Sequence, residues 1–413
     1  MTDRLYYHDS FLHEFEGEIT EVVPASEINR RHGVFLDRTA FYPTSGGQVH
    51  DTGWLSPVGG KSESGKLRVA EVAETEDGRV VHYIEADKAP ERGTRIRGLI
   101  DPLRRRDHMQ QHSGQHVLSA AFIRLFEIPT VSFHMAEDAS SIDLDTPTLS
   151  PAQVEETEAL ANEIVQENRP VGIKFVTQEA AQELGLRKPP RADKDELRVI
   201  DIRNFDLSAC GGTHVQNTGQ IGSILLRKTE RVRQGWRVEF VCGLRAVATA
   251  RHDYLTLTEA AALFSSHIWD VPQQVRKSLE EVRAASKTSE HVLDELAELQ
   301  AGRLLAETAS GNGRKVVARV YKDRDLAFIR LLAQKLTRLE VNVVALLGAA
   351  SGQAALVFAQ SKGMPLDMGV LLKETLAKLG GRGGGSKDMA QGGAPNAGGL
   401  EAALIELAAR LQS

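Results

Sequence analysis

Two pairs of potential metal ligands stand in this chain at one shared spacing. His112-Ser113-Gly114-Gln115-His116 sets two imidazoles four residues apart, which on a helix puts them on one face a turn apart. Cys210-Gly211-Gly212-Thr213-His214 repeats the interval with a thiolate and an imidazole, and its glycines let backbone approach a ligand closely. One thiolate and three imidazoles suit tetrahedral zinc. Only 2 cysteines occur, Cys210 and Cys242, so the company Cys210 keeps is informative. Four protein ligands describe a closed structural site, whereas catalysis usually needs a position for water or substrate. A catalytic zinc would require one ligand, His214 or His112, to sit long or swing away, and the residue types leave both roles open.

These ligands need elements to carry them. Residues 107–126 contain no proline, and Met109, Val117, Ala120 and Ala121 share a face at about 100° per residue. A helix is therefore predicted from near Arg106, with the histidines at the edge of its apolar stripe. Ser150-Pro151 reads as an N-cap with proline at the first helical position, opening a second helix that runs to about Asn168. Strands are expected around 172–176, 197–202 and 222–226, with a final pair at Arg231 and 238–242, so residues 91–250 form one α+β zinc-binding domain. Ahead of it, residues 1–90 carry short β-type runs at 33–42, 66–73 and 79–84. Turn signals separate them at Pro57-Val58-Gly59-Gly60 and Glu76-Asp77-Gly78, which predicts a small barrel or sandwich.

Beyond residue 250 the pattern becomes helical. Val275, Leu279, Val282, Leu293 and Leu296 alternate spacings of three and four, broken at Ser286 and Ser289, which predicts a helical connector over 251–310. Residues 311–413 alternate strand and helix as a compact α/β module, with a glycine-rich loop at 380–385 and a last helix from Leu400. The predicted class is α+β: barrel, zinc-binding domain, helical connector and C-terminal α/β module.

Composition limits the partners. The 413 residues carry 50 Lys+Arg against 56 Asp+Glu, a net charge of −6, so nucleic-acid binding must rest on local clusters. Such clusters occur at Arg104-Arg105-Arg106, at Arg187-Lys188 with Arg191 and Lys194, and at Arg227-Lys228 with Arg231, Arg233 and Arg237. Arg104 and Arg105 are candidates for a phosphate backbone approaching the metal site. Lys378, Arg382 and Lys387 bracket the glycine-rich loop, which lacks a P-loop's Gly-Lys-Ser/Thr ending and better suits RNA contact than nucleotide hydrolysis. Two cysteines exclude a disulfide scaffold and suit a reducing compartment. Met1-Thr2-Asp3-Arg4 opens no apolar signal stretch, and the longest apolar run, 341–350, is too short to span a bilayer. The expectation is a cytoplasmic protein without membrane contact.

The metal motifs also carry a family resemblance. His112 and His116, with Cys210-Gly211-Gly212-Thr213-His214-Val215 followed by Asn217-Thr218-Gly219 and Ile221-Gly222, resemble the editing domain of alanyl-tRNA synthetases and of the free-standing alanyl-tRNA editing (AlaX) proteins. Residues 36–53, running through Phe41-Tyr42-Pro43-Thr44-Ser45-Gly46-Gly47-Gln48, resemble that family's N-terminal glycine motif. Gly383-Gly384-Gly385 and Met389-Ala390-Gln391-Gly392-Gly393 resemble the C-terminal module shared with the synthetases and the DHH phosphoesterases. The order is that of the long AlaX form. Two departures stand out: the family's helix usually reads His-Thr-Ala-x-His, and Thr44-Ser45-Gly46-Gly47-Gln48 is nearer the synthetase version than the triple-glycine one.

The resemblance implies a trans-editing hydrolase that deacylates tRNA(Ala) carrying a wrong amino acid, serine first and glycine second, in a Zn2+ site. It implies that the glycine loop with Gln48 leans over that site and that Thr39 reads a misattached serine's hydroxyl. Ser113, Gly211, Gly212 and Thr213 are further substrate-side candidates, with the Gly211–Gly212 backbone donating to a developing oxyanion. The catalytic group itself stays open, a zinc-associated water being suspected. Two rivals remain at this stage: a non-catalytic tRNA-binding protein with a structural zinc, and a metal-dependent hydrolase of free small molecules. A homodimer through the connector and C-terminal module is a further expectation, and an intact synthetase is not expected.

Overall fold

The computed structural model describes residues 2–25, 30–59, 65–187, 196–351, 353–395 and 397–413. Gly60 of the first expected turn and the cations Lys188, Arg191 and Lys194 lie outside the described residues. The chain divides into two compact units, Met1–Glu259 and Ala260–Ser413.

The first unit opens on a closed barrel. Its strands neighbour one another in the order Glu14–Val23, His32–Leu36, Val80–Glu85, Leu67–Glu74, Gly53–Pro57 and Arg95–Ile100, each pair antiparallel. Alternation drives it: in Arg95-Ile96-Arg97-Gly98-Leu99-Ile100 the isoleucines turn inward and the arginines outward. Phe15, Ile19, Leu36, Phe41, Val69 and Ile84 fill the interior. The expected boundary at residue 90 is corrected. Without Arg95–Ile100, the strands Glu14–Val23 and Gly53–Pro57 would each keep an open edge.

Asp101 ends the barrel and caps the next helix. Its side chain accepts from the N–H groups of Leu103 and Arg104, and Pro102 takes the first position of α1 (Pro102–Phe126), a start four residues ahead of the expected Arg106. α1 has no apolar stripe with an exposed opposite face. Every residue from His108 to Phe122 is buried, because α2 (Pro151–Gln166) and strands of both neighbouring sheets surround it. Two of its glutamines pair off inside, Gln111 with the backbone of Cys242 and Gln115 with Ser119. Gly114 permits this enclosure, since a Cβ there would lie 2.3 Å from Cys242 Sγ. α2 starts as expected at the Ser150 cap, with Gln153 closing a capping box.

A four-stranded antiparallel sheet runs Ile224–Val232, Gly235–Cys242, Ser140–Leu144, Thr130–Met135. The expected separate strands near 224 and 231 are thus one. A three-stranded sheet runs Val171–Thr177, Glu196–Ile202, Asp206–Ala209, followed by the ligand loop. Short α3 (Gln178–Glu183) follows the first of these strands, and α4 (Leu244–Leu263) contains the boundary between units.

The second unit contains α5 (Val271–Glu307), a single 37-residue helix with Pro272 in its first turn. Its last turns are not a free connector: Ala297, Ala301, Leu304 and Leu305 pack in one core with α6 (Leu326–Leu339). A six-stranded sheet follows in the order Ser310–Gly311, Arg314–Tyr321, Val343–Ala349, Ala354–Gln360, Met389–Ala394, Arg382–Gly385. α5 and α6 cover one face, while α7 (Met368–Lys378) and α8 (Leu400–Gln412) cover the other. The expected glycine-rich loop is corrected to an edge strand at Arg382–Gly385. Cβ atoms on Gly383 and Gly385 would meet the opposing backbone at 2.6 and 2.4 Å, so close strand and helix packing requires glycine there. Among the described residues, no helix is long and apolar enough to cross a membrane.

Candidate metal centre

α1 and the loop after strand Asp206–Ala209 meet inside the first unit. There the ligand atoms of His112, His116, Cys210 and His214 all lie within 4.8 Å of one another. His112 Nε2 stands 3.1 Å and His214 Nε2 3.3 Å from Cys210 Sγ. A tetrahedral zinc with ordinary bond lengths would set such N···S edges at about 3.5 Å. The three histidines are buried, while Cys210 and Gly211 are the open side of the cluster.

Each imidazole is oriented from behind. His112 Nδ1 donates to Gln48 Oε1 at 2.8 Å; that atom must be the amide oxygen because it also receives the Thr213 N–H at 3.1 Å. His112 therefore turns Nε2 toward Cys210. His116 Nδ1 faces Asp206 Oδ2 at 2.9 Å, and Arg187 and Ser208 hold Asp206 in turn. His214 Nδ1 faces Ser113 Oγ at 3.2 Å, which also accepts the Val215 N–H. Carboxylate, amide and hydroxyl partners of this kind fix the tautomer of a metal-binding histidine.

The electrostatics agree. Burial alone would push the Cys210 thiol up, but His112 and His214 hold it well below its ordinary value. Burial would also lower His116, yet its hydrogen bonds to Asp206 and Cys210 raise it. Burial pulls His214 down to about 3, against the pull of Cys210. Asp206 is lowered despite burial, because His116 and Arg187 favour its charged form.

Several expected substrate contacts turn out to brace the ligands instead. Gln48, Ser113 and Thr213 are fully buried, and Gln48 spends its NH2 on Thr213 Oγ1 at 2.8 Å. Gly212 cannot aim its N–H at an oxyanion, because that group points to Cys210 Sγ at 3.3 Å. A Cβ on Gly212 would stand 2.3 Å from the His112 ring, which makes glycine a steric requirement there. The glycine motif does lean on this region: Gly47 O accepts from Met135 N, and Phe133 meets the His112 ring edge-on at 5.4 Å between centroids.

Thr39 lies on the two-residue strand Arg38–Thr39, which pairs with Asp3–Arg4 and is not one of the barrel strands, and its side chain is wholly enclosed. His82 Nδ1 faces the Val34 carbonyl, so Nε2 is its acceptor and takes the Thr39 hydroxyl hydrogen at 2.8 Å. Thr39 Oγ1 accepts in turn from Phe41 N–H at 3.1 Å.

The cation candidates divide. Arg105 is not a surface residue: its guanidinium is 0% exposed and grips Asp51, Ser10 O and Ala40 O. Its expected tRNA contact is corrected, since a buried, paired guanidinium cannot meet phosphate. Arg104 is half-buried on His50 O. Arg227, Lys228 and Arg237 pair with Asp253, Glu230 and Asp143, whereas Arg106, Arg231 and Arg233 are exposed. In the second unit Arg382 and Lys387 are exposed and Lys378 pairs with Glu406. A cavity of about 400 Å³ there is lined by Arg330, Gly384, Gly385, Ser386, Met389, Ala390 and Gln391. Sequence reasoning missed Asp206 and Arg198 as members of the site. Asp206 and Ser208 alternate along one strand and Cys210 follows its end at the same interval, and that period of two was the available signal.

Three family models match the chain: "tRNA synthetases class II (A)" over residues 2–104, "Threonyl and Alanyl tRNA synthetase second additional domain" over 197–238, and "DHHA1 domain" over 312–413. The alanyl-tRNA editing protein AlaX-L of Pyrococcus horikoshii is 29% identical over 95% of this chain and 94% of its own length. Alanine–tRNA ligases of Methanothrix thermoacetophila and Archaeoglobus fulgidus are 32% and 33% identical over 98% and 95% of this chain. The chain spans less than half of those ligases, 44% and 42%. A crystal structure of the C-Ala domain from Aquifex aeolicus alanyl-tRNA synthetase aligns over 26% of this chain and 98% of its own, at 21% identity and a TM-score of 0.24.

Proposed function

Because this chain is a homologue of the AlaX-L alanyl-tRNA editing protein over nearly its whole length, we propose that it is a trans-editing hydrolase. It would cleave the ester joining serine, and secondarily glycine, to the 3′ end of tRNA(Ala). The supporting observation is the four-residue cluster with every imidazole oriented by a separate partner, a donor set that fits Zn2+. Such an activity answers a physical need, since an alanine pocket rejects a side chain differing by one small group by only about 1–3 kcal/mol.

His112, His116, Cys210 and His214 would hold the metal, which when bound supplies Lewis-acid polarisation or anchors the aminoacyl adenosine. Gln48, Asp206 and Ser113 face the three Nδ1 atoms and so hold the rings with their other nitrogens aimed inward. Gly211, on the open side, leaves room for the substrate backbone. Thr39 has committed its hydrogen to His82, so it can offer a substrate only a lone pair. A serine hydroxyl matches that polarity and an alanine methyl does not; contact requires the residues enclosing Thr39 to move. Arg104 and the exposed Arg382 and Lys387 are proposed for tRNA phosphates. Exposed Val275, Leu279 and Val282 on α5 support the other reading of the second unit, as a pairing surface for two copies.

A second reading, a tRNA-binding protein with a purely structural metal, is favoured by the closed four-ligand set. Deacylation of purified Ser-, Gly- and Ala-tRNA(Ala) decides between them. Hydrolysis of Ser-tRNA(Ala) that stops in Cys210→Ala protein supports editing. Tight tRNA binding with no hydrolysis of any of the three supports the structural reading.

A further inference from the structure

One buried guanidinium beside the ligand loop has no part in the roles above. Arg198, on the middle strand of the three-stranded sheet, is 7% exposed. Three backbone carbonyls take its hydrogen bonds. Nε donates to Tyr7 O at 2.8 Å, and Nη1 donates to Cys210 O at 2.7 Å and Gly212 O at 2.9 Å. The Arg198 carbonyl also accepts the Cys210 N–H at 3.1 Å, so one residue grips the first ligand's backbone on both sides. At the loop's other end His214 N–H donates to Ser10 Oγ at 3.2 Å. Residues 210–214 have no regular structure, yet the N–H groups of Cys210, Thr213 and His214 and the carbonyls of Cys210 and Gly212 are engaged by groups outside the loop, and the Gly212 N–H by the Cys210 sulfur.

We propose that Arg198 and Ser10 are positioning residues that hold the Cys210–His214 loop in its ligating shape before any metal arrives. The inference rests on the reading of the cluster as a metal centre. A short loop with two adjacent glycines has more backbone freedom than any other segment of its length. Left unpinned, it would have to be ordered by the metal, at the expense of affinity. A planar guanidinium reaches the carbonyls of residues 210 and 212 with one nitrogen while a second nitrogen anchors to the N-terminal segment. A lysine in its place offers one point of attachment. Ser10 is itself fixed, because its carbonyl accepts from buried Arg105 at 2.7 Å.

The test uses the full chain, stripped of metal and titrated with Zn2+ against a chromophoric chelator, and in parallel with Co2+ to read the thiolate-to-cobalt charge-transfer band. Arg198→Lys is expected to bind Zn2+ about 10- to 100-fold more weakly, the usual consequence of losing an outer partner, with an altered cobalt band. Ser10→Ala is expected to weaken binding in the same direction and decides the matter alone if Arg198→Lys fails to fold. Arg245→Lys, which alters an Arg–Asp107 pair in the same unit without touching the loop, should match wild type. A merely structural Arg198 would lower the unfolding midpoint yet leave affinity and cobalt spectrum of the folded protein unchanged. That result, repeated in Ser10→Ala, overturns the proposal. Failure of wild type itself to bind either ion would instead overturn the metal reading.

Discussion

Arg105 gives the sharpest contrast between what its sequence context suggests and what its surroundings dictate. It stands in an Arg-Arg-Arg run, yet its guanidinium and the Asp51 carboxylate are both 0% exposed. Asp51 also accepts the Tyr42 N–H at 2.6 Å, and Arg105 ties down Ser10 O and Ala40 O. Arg105→Met keeps most of the volume and removes the charge. It leaves one carboxylate buried with a single neutral donor, a loss of about 3–5 kcal/mol. Two orphaned carbonyls, at about 1–3 kcal/mol each, push the total toward the top of that range or past it. Against a typical stability of roughly 5–15 kcal/mol this is a large fraction. Urea unfolding followed by tryptophan fluorescence measures it, with Trp54 and Trp236 reporting on the first unit. The double variant Arg105→Met/Asp51→Asn should recover part of the loss, because no uncompensated charge remains. A loss below about 1 kcal/mol, or wild-type stability with a shallower salt dependence of tRNA binding, would refute the buried-latch reasoning and return Arg105 to the surface role.

Other substitutions follow from single contacts. Gly212→Ala drives a Cβ into the His112 ring, so the folded protein should bind Zn2+ about 10- to 100-fold more weakly, read by chelator competition; wild-type affinity would mean the loop yields freely. Thr39→Val orphans His82 Nε2 and the Phe41 N–H and should cost about 1–3 kcal/mol. It should also lower the ratio of Ser- to Ala-tRNA(Ala) deacylation, and an unchanged ratio would remove Thr39 from substrate reading. Burial holds His82 at about 4 in the fold, against an ordinary 6.5. Between those values the unfolded chain takes up a proton the native state refuses, so stability falls as pH drops from 6.5 toward 4, by about 3 kcal/mol for this group. His108, also held near 4 by burial, steepens the same slope. Unfolding free energies flat across that window would contradict both.

The two candidate pairs that the fold brings together were legible because each obeys a local rule, one turn of helix for His112 and His116 and one short loop for Cys210 and His214. Their support was harder to read. Gln48 reaches His112 across 64 residues and Asp206 reaches His116 across 90, distances over which spacing carries no information. The barrel was visible in its alternating runs, but its closing strand fell beyond the expected boundary because six residues with three charged or glycine positions make a weak signal. The start of α1 was hidden in the same way. Asp101-Pro102 is a good cap, but the arginines that follow read as exposed, and only the meeting of barrel and helix shows that Arg105 points inward. Arg382–Gly385 looked like a loop because glycine disfavours strands; contact with the opposite strand and α7 overrides that preference.

The candidate ligands come from two places far apart along the chain, with Gln48 and Arg198 holding them from still other places. During synthesis the segment bearing His112 and His116 leaves the ribosome about a hundred residues before Cys210 and His214 exist. A half-made chain can offer an ion only two imidazoles, on a helix whose enclosing sheets are not yet complete. Acquisition of an ion by the proposed metal centre would thus be tied to the long-range closure of the first unit, a slow class of contact to form. Because the loop is pinned by Arg198 and Ser10 without an ion, cells starved of the metal during translation should accumulate chains that are closed but empty, still resistant to protease within residues 203–223.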